Sequence, residues 1–150
     1  MEITIHACTS PEQPGWLAMR RELWPGSLSS DHEEEMARFL AQPERYAQFV
    51  ACVADGSPCG FVEASIRTDY VNGTSSSPVL FLEGLYVAPP HRRRGIAVQL
   101  VRAVAAWGAT RGCTEFASDV LLENTLSQRV HCALGFQETE RVIYYRKPLA

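Results

Sequence analysis

The strongest structural signal in the chain is Leu82-Glu83-Gly84-Leu85-Tyr86-Val87-Ala88-Pro89-Pro90-His91-Arg92-Arg93-Arg94-Gly95-Ile96-Ala97. It starts inside the apolar run 79–87, which predicts a buried strand that ends at the two prolines. A basic turn with Gly95 follows, and a helical pattern then continues to about Thr110. The first amides of such a helix are free and its dipole favours an anion. The pattern predicts either a solvated connection or a phosphate-binding turn.

Two common phosphate motifs are excluded at this turn. No Gly-Lys-Ser/Thr follows it, so it is not a P-loop, and it has one glycine where a dinucleotide fingerprint has three. Arg92-x-x-Gly95-x-Ala97 after Leu85-Tyr86-Val87 instead resembles the acyl-CoA motif of the GCN5-related N-acetyltransferases. The resemblance implies that acetyl-CoA is held by Tyr86, Val87, Arg92, Arg93, Arg94, Gly95, Ile96, Ala97 and Val98.

A second motif lies near the carboxyl end of the chain. The pattern Asn124-x-x-Ser127-x-x-x-His131-x-x-x-Gly135-Phe136 resembles the family's Asn-x-x-Ala-x-x-x-Tyr-x-x-x-Gly-Phe helix. The spacing puts 124, 127 and 131 on one helical face. The resemblance implies that Asn124, Ser127 and His131 contact the cofactor, with position 131 near the thioester sulfur. His131 replaces the family's tyrosine, so it either protonates the departing thiolate or only packs against the cofactor.

Composition limits the class of protein. The 150 residues fit one domain, 1–150, and the net charge of −3 gives no footprint for nucleic acid. No apolar run approaches the roughly 20 residues that span a bilayer. The five cysteines form no Cys-x-x-Cys pair and follow no signal peptide, which predicts reduced thiols and a cytoplasmic protein. We expect no metal site.

The order of predicted elements gives the fold class. It is β-α-α-β-β-β-α-β-α-β, an α+β fold that matches the GCN5-related acetyltransferase order: a mixed, mostly antiparallel sheet with helices on both faces and strands splayed at the centre. The predicted strands are 2–7, 46–54, 59–68, 79–87, 113–120 and 136–147, and the helices run from Ser10, Ser30, Gly95 and Asn124.

The helical patterns also predict buried faces. In the helix after Gly95 the inward side chains are Ala97, Leu100, Val101, Val104 and Ala105, and in the last helix they are Leu126, Val130, Ala133 and Leu134. Glu33, Glu34 and Glu35 lie in the first turn of the second helix, where the dipole favours them, and we expect a solvated acidic face there.

Acetyl transfer to an amine needs a proton acceptor, because an aliphatic ammonium has a pKa near 10.4 and must lose a proton before attack. Two carboxylates are candidates. Glu83 interrupts the apolar strand, where a charge is costly unless it is paired with arginine or functional. Asp119 follows the next strand, where it is either the base or a cap or turn residue before the last helix. A backbone N–H in the Tyr86–Val87 region would polarise the carbonyl.

The whole chain resembles one branch of that family, the aminoglycoside 6′-N-acetyltransferases. The stretches 63–74, 81–87, 113–119 and 134–140 carry this resemblance. It implies acetyl transfer from acetyl-CoA to the 6′-amine of antibiotics, hence resistance, and a homodimer whose partner chain helps close the pocket. The implied drug-binding residues are Trp24, Tyr70, Glu83, Asp119 and Glu140. For Trp24 and Tyr70 ordinary packing is the alternative.

Two other functions remain open at this point. The acceptor is either another small amine, such as a polyamine, or a peptide N-terminus, for which an open groove is expected. A third possibility is a sensor on the same fold that binds acyl-CoA without turnover. The paired carboxylates Glu83 and Asp119 favour an enzyme over the sensor.

Overall fold

The computed structural model describes residues 2–150 and contains one five-stranded sheet in the order β1-β2-β3-β4-β5. The elements along the chain are β1 Thr4–Ala7, α1 Trp16–Leu23, α2 Ser29–Leu40, β2 Tyr46–Cys52, β3 Pro58–Arg67, β4 Val79–Val87, a 3₁₀ turn Pro89–His91, α3 Ile96–Ala109, β5 Phe116–Ala117 and α4 Thr125–Ala133. Neighbouring strands are antiparallel except β4 and β5, which are parallel. The α+β class and the mixed sheet are confirmed.

Helices cover both faces of the sheet, as predicted. On one face α3 buries Ile96, Leu100 and Val104 against small and branched side chains of the central strands. On the other face α1 and α2 bury Trp16 and Met36, together with their neighbours, against β2 and β3. Alternating side chains of a strand point to opposite faces, so β2 and β3 supply both clusters and lie at the centre of the core.

The first helix begins later than the sequence pattern predicts. Ser10 forms a turn, in which it accepts from the amide of Gln13, and α1 starts only at Trp16. Pro14 disfavours helical backbone at the residue before it, so a helix from Ser10 was the wrong prediction. The second helix starts at Ser29 without a side-chain cap, because its first turn closes on the carbonyl of Leu28.

The carboxyl-terminal third differs most from expectation. The predicted strand 113–120 pairs only at Phe116–Ala117, and no strand forms within 136–147 among the described residues. The predicted inward face of α4 is also wrong, because no residue of α4 is buried and Leu126 is 66% exposed. Both errors concern the side of the sheet beyond β5, where packing is sparse: Phe136 packs edge-on to Phe116, but no described residue after Gly108 is buried.

Candidate active site

The centre of the sheet carries an irregularity at Glu83. Across the β3–β4 ladder, Glu63 faces Gly84 and Ala64 faces Leu82, so Glu83 is an extra residue that forms a β-bulge. Just before this point the parallel pairing of β4 with β5 ends, at Phe81 and Ala117. Bulges bend a strand and re-aim side chains beside active sites. Beyond Phe81 and Ala117, β4 and β5 are no longer paired; the gap between the two strands, called the cleft below, corresponds to the splay that the family resemblance implies.

Glu83 is held in place from β3. Its Oε1 accepts a hydrogen bond from Ser65 Oγ at 2.6 Å and lies 3.1 Å from Nη2 of Arg67. The Arg67 guanidinium in turn lies over the ring of Phe81, 3.6 Å from its centroid. The arginine-paired alternative for Glu83 is thus present in the structure, and this carboxylate is an anchored anion at the edge of the cleft.

Trp24 lies over the bulge at Gly84. A Cβ added to Gly84 would lie 2.5 Å from Cη2 of Trp24, so the indole covers the bare backbone at this glycine. The indole packs edge-on to Phe61 and stacks on His32 at 6.3 Å. These contacts fix one aromatic wall immediately beside Glu83.

A buried charged network supports that wall. The Arg20 guanidinium, 1% exposed, binds the carboxylates of Glu63 and Glu35, and its Nε donates to Nδ1 of His32 at 3.2 Å. Trp16 Nε1 donates to Oε2 of Glu63 at 2.8 Å. Burial raises the pKa of Glu63, against the opposing effect of the nearby arginine. A guanidinium shared by two carboxylates is a rigid planar fork, so the network fixes α1, α2 and β3 relative to one another.

Sequence reasoning missed this network and misassigned one of its members. Glu35 is one of the three glutamates that we expected to form a solvated face. That expectation is wrong for Glu35, because its carboxylate pairs with the buried Arg20. Glu63 lies in an apolar strand, the same signal that singled out Glu83. Its partners are 43 and 47 residues away along the chain, so no local pattern reveals them.

A pocket of about 390 Å³ lies between α2, β2, β3 and β4. Its lining is mixed in charge, with four carboxylates, three arginines and three aromatic rings: Glu35, Glu63, Asp69 and Glu83; Arg38, Arg45 and Arg67; Trp24, Phe39 and Tyr46, together with Ser65. Of the five predicted drug-binding residues, Trp24 and Glu83 belong to this lining, whereas Tyr70, Asp119 and Glu140 do not.

Those three residues are exposed on the surface. Tyr70 is 71% exposed and borders a second, polar pocket in the loop 68–77. That loop packs against the carboxyl-terminal segment, because Gly73 lies directly under the side chain of Thr139, next to Glu140. Asp119 is exposed just after β5 and forms no hydrogen bond or ion pair with any described residue. Its carboxylate is therefore not a helix cap.

The turn before α3 has the geometry of an anion-binding site. Gly95 has φ of 77° and precedes the helix without a side-chain cap, and a Cβ at this position would meet no atom within 4 Å. Arg93, with φ of 63°, is also left-handed. Successive amides in such conformations form a concave nest for anions, and the first amides of α3 add to it. Arg92 Nε donates to the carbonyl of Val87 at 2.8 Å and ties the turn to the end of β4.

The last helix brings the second motif beside the cleft. Asn124 caps α4 by accepting from the amide of Ser127 at 3.1 Å. His131 lies one turn further on, with Nε2 2.7 Å from Oγ of Ser118 and Nδ1 2.7 Å from the carbonyl oxygen of Ser127. The arrangement places one imidazole and one hydroxyl on the β5 side of the cleft, opposite the end of β4.

Other classes of site are not indicated. Within residues 2–150 no group of three or more His, Cys, Asp or Glu side chains is arranged to hold a metal ion. No helix in this range is long and apolar enough to cross a bilayer. All five cysteines are free thiols.

Comparison with known proteins extends these observations. Residues 16–136 match the model of the acetyltransferase (GNAT) family. An aminoglycoside N(6′)-acetyltransferase type 1 of Salmonella typhimurium is 54% identical over 132 residues, which cover 88% of this chain and 90% of the relative. The relative of the same name from Serratia marcescens is 49% identical and covers 97% of this chain and 99% of its own length.

Solved structures agree with the sequence relatives. AAC(6′)-Iy, solved in complex with the bisubstrate analogue CoA-S-monomethyl-acetylneamine, has a TM-score of 0.92 at 49% identity, covering 99% of both chains. The aminoglycoside 6′-N-acetyltransferase AAC(6′)-Ih from Acinetobacter baumannii has a TM-score of 0.93 at 44% identity, with 99% of this chain and 100% of that chain covered. With the bulged central strand and the uncapped glycine turn, these matches show that the chain belongs to the GNAT family of acetyltransferases.

Proposed function

We propose that the protein transfers an acetyl group from acetyl-CoA to the 6′-amine of aminoglycoside antibiotics and so confers resistance to them. The observation that carries the proposal is the bulged strand β4, which leads into an anion-binding turn and borders a pocket lined by carboxylates, arginines and aromatic rings. Relatives that carry this activity in their names cover nearly the whole chain. No covalent enzyme intermediate is required, since the amine attacks the thioester directly.

Acetyl-CoA fits the turn before α3. Its pyrophosphate would lie on the amides 93–98, where the left-handed Gly95 leaves open space and the helix dipole favours negative charge. Arg93 and Arg94 supply cationic side chains. Arg92 donates a hydrogen bond to the carbonyl of Val87 and so holds the turn against the end of β4. Bound acetyl-CoA supplies the activated acetyl group. Tyr86 and Val87 lie on the stretch of β4 that has no strand neighbour on its β5 side, so a free backbone N–H there would polarise the thioester carbonyl.

The acceptor amine needs a carboxylate that is free to take a proton. Glu83 is engaged by Ser65 and Arg67, whereas Asp119 has neither a hydrogen bond nor an ion pair with any residue of 2–150. A nearby carboxylate raises the pKa of an amine by favouring its charged form, so it helps by accepting the proton and not by depressing the pKa. We therefore assign the base role to Asp119, and to Glu83 the binding of a second substrate ammonium group.

The remaining drug contacts are assigned to the rim of the cleft. Trp24 offers an aromatic face for a sugar ring or a cation, next to Glu83. Tyr70 and Glu140 belong to two segments that meet where Gly73 lies under Thr139, and they would close the pocket from its outer side.

A homodimer is consistent with the exposed apolar surface. Ile143, Tyr144 and Tyr145 are 76%, 79% and 89% exposed, and Leu121, Leu122 and Leu126 are exposed as well. Contiguous exposed apolar side chains mark an interaction surface. A second copy would cover this surface and supply the missing strand partners of 136–147. Sedimentation should give twice the monomer mass of 16.7 kDa, and a monomer at micromolar concentration would contradict this part of the proposal.

We assign the protein to the cytoplasm. Its thiols are unpaired, and Cys132 is exposed, which suits a reducing compartment. Fractionation of the cells that make the protein tests this assignment, and recovery of the protein in the periplasmic fraction would contradict it.

Thiol release from acetyl-CoA tests the activity. The purified protein is mixed with acetyl-CoA and, separately, with kanamycin, spermidine or a short peptide, and a blank without amine corrects for reactive protein thiols. Release with kanamycin alone supports the proposal. Release with spermidine or the peptide instead would identify another amine acceptor, and acetyl-CoA binding without release under any condition would identify a sensor.

A further inference from the structure

A serine and a histidine are paired at the mouth of the cleft. Ser118 Oγ lies 2.7 Å from Nε2 of His131, and both side chains are half-buried. The imidazole also packs edge-on to Phe136, with ring centroids 5.3 Å apart. The groups that face it are Ser118, Ser127 and Phe136, none of them charged.

The hydrogen bonds fix the tautomer of His131. Its Nδ1 lies 2.7 Å from the backbone carbonyl oxygen of Ser127, which can only accept, so Nδ1 carries the hydrogen. In the neutral ring Nε2 then carries a lone pair and no hydrogen, and the Ser118 hydroxyl donates to it. A neutral His131 in this orientation has no proton to give at Nε2. Any acid role for His131 therefore requires the imidazolium and passes through Ser118.

Ser118 is well placed along the chain for such a role. The parallel pairing of β4 and β5 ends at Ala117, so Ser118 is the first residue of the β5 arm where the cleft opens. Asp119, the assigned base, follows directly. The hydroxyl therefore lies just past the end of the β4–β5 pairing and within hydrogen-bond distance of the imidazole.

We propose that Ser118 is a catalytic relay residue that passes a proton from His131 to the departing sulfur; this rests on the acetyl transfer proposed above. As the amine nitrogen bonds to the acetyl carbon, the C–S bond breaks and its electron pair goes to sulfur. The sulfur takes the hydroxyl proton of Ser118 while Ser118 Oγ takes the Nε2 proton of the imidazolium. Neutral His131 remains, hydrogen-bonded to Ser118 as in the structure.

The remaining protons also balance. The attacking ammonium loses two protons, which pass through Asp119 to solvent, and His131 regains one from solvent before the next turnover. The transfer to sulfur is favourable, because an imidazolium is a stronger acid than a thiol. A serine hydroxyl alone is far too weak an acid, so the relay needs both residues.

Single-turnover acetyl transfer to kanamycin tests the relay. Ser118→Ala and His131→Gln should each lower the rate of the chemical step about 10²-fold, the lower end for general acid catalysis, with little change in the affinity for acetyl-CoA. Because the two residues act as one unit, the double variant should be no slower than either single variant. Ser118→Thr keeps the hydroxyl and should recover most of the rate. Cys132→Ala, on the exposed side of the same helix, is the matched control and should match the wild type.

Several outcomes would overturn the relay. They are a Ser118→Ala rate within twofold of wild type, losses that multiply in the double variant, or a loss confined to acetyl-CoA affinity. An acetyl group trapped on Ser118 by mass spectrometry would also overturn it, since the serine would then be a nucleophile. Nitrogen-15 shifts of His131 that place the hydrogen of the neutral ring on Nε2 would do so without any activity measurement. If the proposed function itself fails, the wild type releases no thiol with kanamycin, which is a different result.

Discussion

The indole of Trp24 covers Gly84 so closely that a methyl group there would meet Cη2 at 2.5 Å. We expect Gly84→Ala to push the indole away from Glu83, to raise the KM for the aminoglycoside severalfold and to cost about 1–3 kcal/mol of stability. Steady-state kinetics and urea unfolding measure the two effects. Gly26→Ala is the matched control, because a Cβ there meets nothing within 4 Å. Equal KM values in the two variants would show that Trp24 does not contact the drug.

Removal of Arg20 should unfold the protein far more readily than a surface change. Arg20→Met leaves the buried Glu63 carboxylate with Trp16 as its one donor among the described residues, and breaking one side of such a pair costs about 3–5 kcal/mol. Urea denaturation measures the loss. Adding Glu63→Gln should restore part of it by removing the unpaired charge, so a double variant less stable than Arg20→Met would contradict the assigned pairing.

Two glycines with the same backbone conformation separate strain from binding. Gly95 and Gly112 flank α3, have φ of 77° and 85°, and both face open space. Alanine at either position should cost about 1–2 kcal/mol of stability for the left-handed backbone. Only Gly95→Ala should also raise the KM for acetyl-CoA, because its methyl group would enter the anion-binding site at the turn before α3. Equal KM values for acetyl-CoA in the two variants would show that the pyrophosphate does not bind at this turn.

The two candidate carboxylates should respond differently to neutral substitution. Asp119→Asn should lower kcat by about 10²–10⁴-fold, as expected for a proton acceptor, with a modest change in KM. Glu83→Gln should chiefly raise the KM for the drug, because it removes the negative charge that is proposed to bind a substrate ammonium group and that Arg67 holds in place. The ratio of the two kcat values is the measurement, and a larger loss in Glu83→Gln would reverse the assignment.

Thiol labelling should follow burial. Burial, with smaller contributions from Glu63 and Cys52, raises the pKa of Cys8 to about 12, so at pH 8 this thiol stays protonated and does not react. Burial also raises the pKa of Cys52, Cys59 and Cys113. Exposed Cys132 should therefore be alkylated first in the native protein. Peptide mass spectrometry after brief treatment reports the order, and early labelling of Cys8 would contradict the packing around it.

Local patterns predicted the centre of the molecule well. The strand 79–87 has the bounds expected, because an apolar run followed by two prolines leaves little freedom, and α3 ends at Ala109 beside the predicted Thr110. The cap and glycine signals of α4 also gave its limits. Each of these features depends on residues that are neighbours in sequence.

Long-range partners account for what the sequence did not reveal. The network around Arg20 joins side chains more than 40 residues apart, so its formation depends on the fold. Likewise, the apolar spacing in α4 indicates a face, but not what covers it. The predicted strand in 136–147 fails for the same reason, since a strand needs a partner edge that the single chain does not provide.

Gly108 is the last buried residue along the described chain. The 42 residues after it include β5, α4 and the proposed relay residues Ser118 and His131. Regions with few buried contacts open at low free energy, so their amides should exchange with deuterium long before those of β2 to β4. A ligand or partner chain that binds this region only when it is folded stabilises the folded form by mass action. Acetyl-CoA and a second copy should therefore both slow exchange in this third. The cell's acetyl-CoA level would then set how much of the enzyme escapes proteolysis.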